Sequence, residues 1–430
     1  MVDPEIGFTS DIIRDPNRFV GRRDLIRDCV KSLNTPAGLI AIYGKRGVGK
    51  SSLLRQLQQI ALGNYALPVK AGLQHELPTR PRRYLTVYYN CDSMISGGTG
   101  LLSRLCNDQN PEDGLLRLVP EDGKEMVEFT RGSENSIGAD LKVLKWDNKG
   151  TNSQKYARAV PGDIVQTFRN FVDAIIAHQV QQKMKRDGLL ILLDEFDVIQ
   201  DKQGLGSLIK SLTSPYLKFA ICGIGQDLAD LVTDHASVER LLEEGAIHVL
   251  PMDQPESEEI FFTAERLFKG QISFERAIIK NIATISQGYP YFAQLLGKEC
   301  VSQANRVGTS HIDQIIFDRV LEDIRSGRAF PTLESSYQRA IGNSSDREII
   351  LHLLAGQPEE SAMFNSESGR VLLKQTRKDA EELDIQYIDQ LVPRLVDPTY
   401  GPVLRRVPER QGIYEFVNPV LRLYVRLRSV

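Results

Sequence analysis

The sequence has few cysteines, no charge excess and no long apolar run. Only five cysteines occur in 430 residues, Cys29, Cys91, Cys106, Cys222 and Cys300. They are scattered, odd in number and free of C-x-x-C spacing, so they indicate neither a disulfide framework nor a zinc site, and a reducing cytosol suits them. With 53 basic against 56 acidic side chains the formal net charge is −3, so any nucleic-acid binding must rest on a local patch. No stretch approaches the run of about 18 apolar residues that a membrane span needs. Met1 to Ile6 lacks the basic and apolar regions of a signal peptide. The expectation is a soluble, cytoplasmic protein with no membrane partner. The lone Trp146 reads as an anchor of a small subdomain rather than a base-stacking platform, and no effector domain or repeat array is recognisable.

What is present is a balanced globular composition, 41% hydrophobic and 25% charged, in a chain too long for one ordinary core. Its most informative segment is Gly44-Lys45-Arg46-Gly47-Val48-Gly49-Lys50-Ser51, a complete G-x-x-x-x-G-K-[ST] phosphate loop. The apolar run Leu39 to Tyr43 precedes it and Ser52 to Leu57 follows, giving strand, glycine loop and helix start. Such a loop works when successive backbone N–H groups face phosphates at a helix N-terminus. Gly44, Gly47 and Gly49 permit the close approach, Lys50 reaches the β- and γ-phosphates, and Ser51 ligates Mg²⁺. The competing reading is a glycine turn without a ligand.

A second element answers the first about 140 residues later. Leu189 to Leu193 runs without alternation into Asp194-Glu195-Phe196-Asp197, as suits a central parallel strand buried on both faces. Carboxylates at its C-terminal tip lie where ligands of open α/β sheets bind. Asp194 is the expected direct or water-linked Mg²⁺ partner, and Glu195 the base or orienter of an attacking water. Alone, the cluster would read as an N-cap.

Elsewhere, Leu25 to Leu33 forms an amphipathic helix and Arg83 to Asn90 a strand ending at the ligand edge. Between about 95 and 158 the periodicity breaks down, and this stretch is expected to be an inserted hairpin region, either a partner-binding feature or a bland surface insertion. A helix is expected near 162–185. Leu217 to Gly225 forms another buried strand that places Gln226 near the γ-phosphate edge, as a sensor or a simple turn amide. From 253 the pattern is helical. At the C-terminal end a helix over Leu383 to Leu395, then Pro402 to Val407 and Ile413 to Val417, outline a winged helix. The expected fold class is α/β: a P-loop parallel-sheet core over 1–252, a helical lid over 253–335 and a winged-helix domain over 336–430. No guanine-specific N-K-x-D element occurs, which favours adenine.

These residues resemble the AAA+/STAND-type P-loop ATPases, which include archaeal-type ATPases and relatives of the origin-recognition initiators. The resemblance spans about 20 to 430. It rests on Phe19-Val20-Gly21-Arg22, the loop, Leu193 to Asp197, Gly225-Gln226, His235 to Arg240 and Gly288-Tyr289-Pro290. It implies that Gly44, Lys45, Arg46, Gly47, Val48, Gly49, Lys50, Ser51 and Ser52 cradle ATP with Mg²⁺. It further implies that Val20, Gly21 and Arg22 lie against the adenine side and that Pro290 approaches the base from the lid. Arg240 is implied as an arginine finger or sensor acting on a neighbouring copy in a homo-oligomer, a surface salt-bridging arginine being the alternative. Two departures, Arg23 after the Gly-Arg pair and Gly-Tyr-Pro where many AAA+ proteins carry a sensor arginine, point away from rapid ring-dependent hydrolysis.

Over 391–430, seven arginines face three acidic residues, a local excess of +4 that suits phosphate contacts from a wing carrying Arg405 and Arg406. Three functions follow. The leading one is an ATP-binding, slowly hydrolysing switch whose nucleotide state, ATP or ADP, moves the lid and winged helix. The others are an initiator or mobile-element regulator that binds double-stranded DNA in an ATP-dependent way, and a signalling or defence ATPase acting through a protein partner.

Overall fold

The computed structural model describes residues 1–35, 38–120, 164–182, 186–225, 231, 242–243, 245–357, 364–365, 385–407 and 413–428. They form two compact units: Arg14–Gly44 with Lys50–Val249, and Met1–Ile13 with Lys45–Gly49 and Leu250–Val430.

The first unit is built on strands β1 (Leu39–Gly44), β2 (Tyr84–Asn90), β3 (Gly188–Asp194), β4 (Leu217–Ile224) and β5 (Ala246–His248). All are parallel, in the order β2-β3-β4-β1-β5. This is the parallel α/β core that the sequence predicts, with β3 and β4 inserted between β1 and β2. Every residue of β3 is buried, which is why its sequence shows no alternation. Its helices are α1 (Arg23–Asn34), α2 (Lys50–Leu62), α3 (Ala66–Lys70), α4 (Gly97–Asn107), α5 (Ile164–Ile175) and α6 (Leu205–Leu212). Leu101, Leu105, Phe168 and Phe171 of α4 and α5 join Ile191 and Phe219 of the sheet in one apolar core. Beyond α5 the chain continues as a π-helical stretch, Ile176–Gln182.

The start of the stretch expected to be an inserted hairpin is instead α4. Its glycines serve packing rather than turning: a Cβ at Gly98 would come within 2.3 Å of Leu208 Cδ2 on α6. Residues 108–120 add a 3₁₀ turn, Leu116–Leu118, and the rest of that expectation, including Trp146, falls on 121–158, outside the described residues.

In the second unit, helices α7 (Gln254–Leu267), α8 (Arg276–Ser286), α9 (Pro290–Val307) and α10 (Gln314–Arg325) surround a two-stranded parallel pair, β6 (Ser273–Phe274) and β7 (His311–Ile312). Phe8 packs among them, 5.3 Å from Phe261, 6.0 Å from Phe268 and 5.7 Å from Phe274 between ring centroids. A Cβ at Gly297 would lie 2.4 Å from the Phe8 ring, so α9 accepts this aromatic only at a glycine.

The chain then forms α11 (Pro331–Ile341), α12 (Ser345–Ala355), β8 (Phe364–Asn365), α13 (Ile385–Val396), β9 (Leu404–Arg406), β10 (Ile413–Phe416) and α14 (Pro419–Leu427). The strands make an antiparallel sheet in the order β8-β10-β9, which with α12 and α13 gives the winged-helix outline. The residues expected to form the lid and the winged helix fall in one compact unit, together with Met1–Ile13. No described helix is long and apolar enough to cross a membrane.

Part of the arginine excess of this region is taken up inside the fold or in ion pairs. Arg422 is 2% exposed, donating to Gln287 Oε1 at 2.9 Å and to the Gln357 carbonyl. Arg428 pairs with Glu334 at 3.1 Å, and Arg405 with Glu415 at 2.5 Å. A sequence count cannot separate these from solvent-facing charges, so the +4 excess overstates the basic surface.

Candidate nucleotide-binding site

β1 ends in the loop because the chain there needs backbone that only glycine adopts without strain. Gly44 has φ +152°, and a Cβ on it would lie 2.3 Å from the Val249 carbonyl oxygen, since Val249 N–H donates to the Tyr43 carbonyl at 2.8 Å. Gly47 and Gly49 follow with φ +84° and +96°. α2 then starts at Lys50, so that the N-terminal amides and positive dipole end of a helix lie at the loop. Lys50 is 8% exposed, and Ser51 is half-buried.

Ser51 Oγ donates to Asp194 Oδ1 at 3.1 Å, across 143 residues of sequence. Asp194, the last residue of β3, is 2% exposed. The same Oδ1 accepts the Glu195 N–H at 2.9 Å, and Oδ2 accepts the Tyr88 hydroxyl at 2.5 Å. Burial first, and then the Asp194 charge, raises the pKa of the Cys222 thiol of β4 well above the ordinary value. The Cys91 thiol is pushed up to about 12, by burial foremost and next by Asp194. Both thiols therefore stay protonated beside the acid.

Glu195 is exposed and holds left-handed backbone, φ 52° and ψ 36°. Such geometry costs a non-glycine residue about 1 kcal/mol or more and persists where surroundings impose it. Asp197 has a structural duty: its Oδ1 accepts the Ile224 N–H at 2.8 Å and so ties the tip of β4.

The donor set fits Mg²⁺. A hydroxyl and a carboxylate oxygen converge beside glycine backbone, the hard-oxygen pattern of a cation that takes one or two protein oxygens and completes its shell with phosphate and water. Among the described residues no cluster of three His, Cys, Asp or Glu could hold a metal by itself.

Val20 and Arg22 are each 8% exposed, and Gly21 and Arg22 are both left-handed, φ 62° and 61°, immediately before α1. Lys70 fastens this segment, donating to the carbonyls of Asn17 and Phe19 at 2.9 Å each. Arg23, the departure from the family pattern, has a local use, donating to the Ala71 carbonyl at 3.1 Å and pairing with Glu76 at 3.1 Å.

Within the second unit, Lys45–Gly49 meets the α8–α9 turn and α14. Tyr291 N–H faces the Gly47 carbonyl at 3.5 Å. Cβ atoms at Gly47 and Gly49 would lie 2.8 Å from Val420 Cγ2 and 3.6 Å from Pro290 Cγ. Gly288 is itself required, since a Cβ there would lie 2.2 Å from the Met252 carbonyl oxygen. Gln226 and Arg240 lie outside the described residues. Reasoning from sequence missed Tyr88, Arg55, Lys70 and Val420. The sole sequence signal among them was an aromatic with a polar tip two residues short of the end of β2.

No protein-family model matches the sequence, and no curated protein matches it. In structure the chain is similar to the ORC2 protein of Aeropyrum pernix in its ADP form, at 14% identity and TM-score 0.47, covering 99% of this chain and 96% of that one. It is similar to the ORC1 protein of Aeropyrum pernix in complex with DNA, at 12% identity and TM-score 0.43, covering 95% and 92%. It is also similar to the RuvB Holliday junction branch migration motor of Thermotoga maritima, at 13% identity and TM-score 0.41, covering 93% and 95%.

Proposed function

We propose that the chain is an ATP-binding, slowly hydrolysing switch in which nucleotide state is coupled to the lid and winged-helix segments. The observation that carries this reading is the bond between Ser51 Oγ and Asp194 Oδ1 at 3.1 Å, which joins the loop's metal-ligating hydroxyl to the buried acid of the sheet. Lys50 and the amides of Gly47, Gly49 and Ser51 would bind the β- and γ-phosphates. Mg²⁺, held by Ser51 and Asp194 with phosphate oxygens, would neutralise charge developing at the β–γ bridge. Glu195 would orient the attacking water and take its proton as the water oxygen bonds phosphorus and the bridging oxygen leaves on ADP. Val20, Gly21, Arg22 and Pro290 would bound the base. Arg240 and Gln226 keep their proposed roles as arginine finger and sensor.

Coupling is supported by Val420 at Gly47 and by Arg422 at Gln287. A change in loop shape on phosphate binding would press on α14, which is tied to the lid turn. The test is turnover and ATP retention in two variants. Lys50→Ala is expected to lose nucleotide binding, and Glu195→Gln to bind and retain ATP. Wild-type turnover in Glu195→Gln would sink the assignment.

A DNA-associated reading is favoured by Arg406 and Arg426, which are exposed and have no ion partner among the described residues. Turnover with and without duplex DNA at two salt concentrations separates the two readings, because DNA stimulation through these cations would fade with salt.

A further inference from the structure

We propose that Tyr88 is a positioning residue for the metal-facing carboxylate of Asp194, held in place by Arg55 and Asp113; this rests on the nucleotide reading above. Tyr88 sits on β2 beside β3 and is 5% exposed. Its hydroxyl takes one Asp194 oxygen at 2.5 Å, while the other oxygen faces Ser51 at 3.1 Å. The two oxygens are thereby made unequal: one is anchored from within the core, and the other is turned to the loop. The phenol is the donor in this bond.

Tyr88 is itself fixed at its ring and at its backbone. The Arg55 guanidinium lies over its ring, 3.3 Å from the centroid. Arg55 Nη1 donates to Asp113 Oδ2 at 2.8 Å and to Gln58 Oε1 at 2.9 Å. Gln58 Nε2 donates to Asp113 Oδ1 at 2.9 Å and to Thr86 Oγ1 at 3.3 Å. The Tyr88 N–H donates to the Asp113 carbonyl at 3.0 Å. Arg55, Gln58, Thr86 and Asp113 are each at most 9% exposed. Burying an ion pair here is no cheaper than apolar packing of the same shape. What the cluster adds is a single orientation for the phenol, and through it for the acid. Partners behind metal ligands typically govern metal affinity by about 10- to 100-fold.

Tyr88→Phe keeps the ring under Arg55 and removes only the donor. In the full-length chain, binding of a fluorescent ATP analogue is titrated with Mg²⁺ and repeated in EDTA, alongside the nucleotide-free melting temperature. The Mg²⁺ midpoint is expected to rise about 10-fold, with metal-free binding and melting close to wild type. Arg55→Gln, which leaves the hydroxyl in place, is expected to shift the midpoint in the same direction by about 3-fold. Asp194→Asn is expected to abolish the Mg²⁺ dependence. An unshifted midpoint in Tyr88→Phe, with the dependence lost in Asp194→Asn, overturns the positioning role and leaves the nucleotide reading standing. Wild-type binding indifferent to Mg²⁺ overturns both.

Discussion

Val420 on the last helix and Gly47 in the phosphate loop occupy adjoining space, so that a methyl group at Gly47 would intrude to 2.8 Å of Val420 Cγ2. Gly47→Ala adds that intrusion to the strain of φ +84°, and a loss of about 2 kcal/mol is expected. Val420→Ala in the same chain should recover part of it. Urea unfolding of both single variants and the double variant should give a coupling of at least about 0.5 kcal/mol. Strictly additive values would show that the two residues do not press on each other.

Glu195 is held in a backbone conformation suited to glycine. Glu195→Gly should therefore melt above Glu195→Gln, by about 1 kcal/mol in stability, while both lose turnover. If the glutamine variant proves the more stable, the left-handed geometry is not a source of strain.

Lys218 lies fully buried on β4, its ammonium donating to the Ser32 carbonyl at 2.8 Å at the end of α1. Burial, and secondarily Arg82, lowers its pKa from 10.5 to about 8. The folded chain thus releases this proton first, and between about pH 8 and 10.5 the unfolded chain holds more protons. Stability should rise with pH through that window, by up to about 3 kcal/mol. Below it the charged form is buried at full cost. Urea midpoints at pH 7, 8, 9 and 10 should climb in wild type relative to Lys218→Met, and parallel profiles would refute the assignment.

Arg405 and Arg406 are neighbours with different duties. Arg405 pairs with Glu415, whose side chain is 6% exposed, so Arg405→Ala should lower stability by about 1 kcal/mol. Arg406→Ala should leave melting unchanged and, on the DNA-associated reading, weaken duplex binding and flatten its salt dependence. Equal effects on melting would mean that the hairpin does not distinguish them.

The central sheet was readable because its burial is written in continuous apolar runs: Leu189 to Leu193 has no alternation since both faces of β3 are covered. The strand, glycine turn and helix start were readable because the turn needs glycine at fixed positions, and the contact of Ser51 with Asp194 followed from where strand ends lie. Helix α4 was not readable, since Gly97, Gly98 and Gly100 look like punctuation until Leu208 is seen filling the space above Gly98. Nor could the arginine count foresee that Arg422 and Arg428 turn inward. Tyr88 was legible as a strand residue and silent as a partner of Asp194, because the two are 106 positions apart in the chain. Contacts made across such separations depend on topology, which local pattern does not encode.

Phe8 gives the chain an assembly order that differs from its order of synthesis. Its partners Phe261, Phe268 and Phe274 emerge some 250 residues after it, whereas Arg14–Gly44 and Lys50–Val249 hold most of the α/β unit and are complete earlier. During translation the segment that carries Phe8 waits without these partners while the residues of the sheet are made. A substitution that removes the Phe8 ring would accordingly damage the helical unit, remote in sequence, before it touched the sheet.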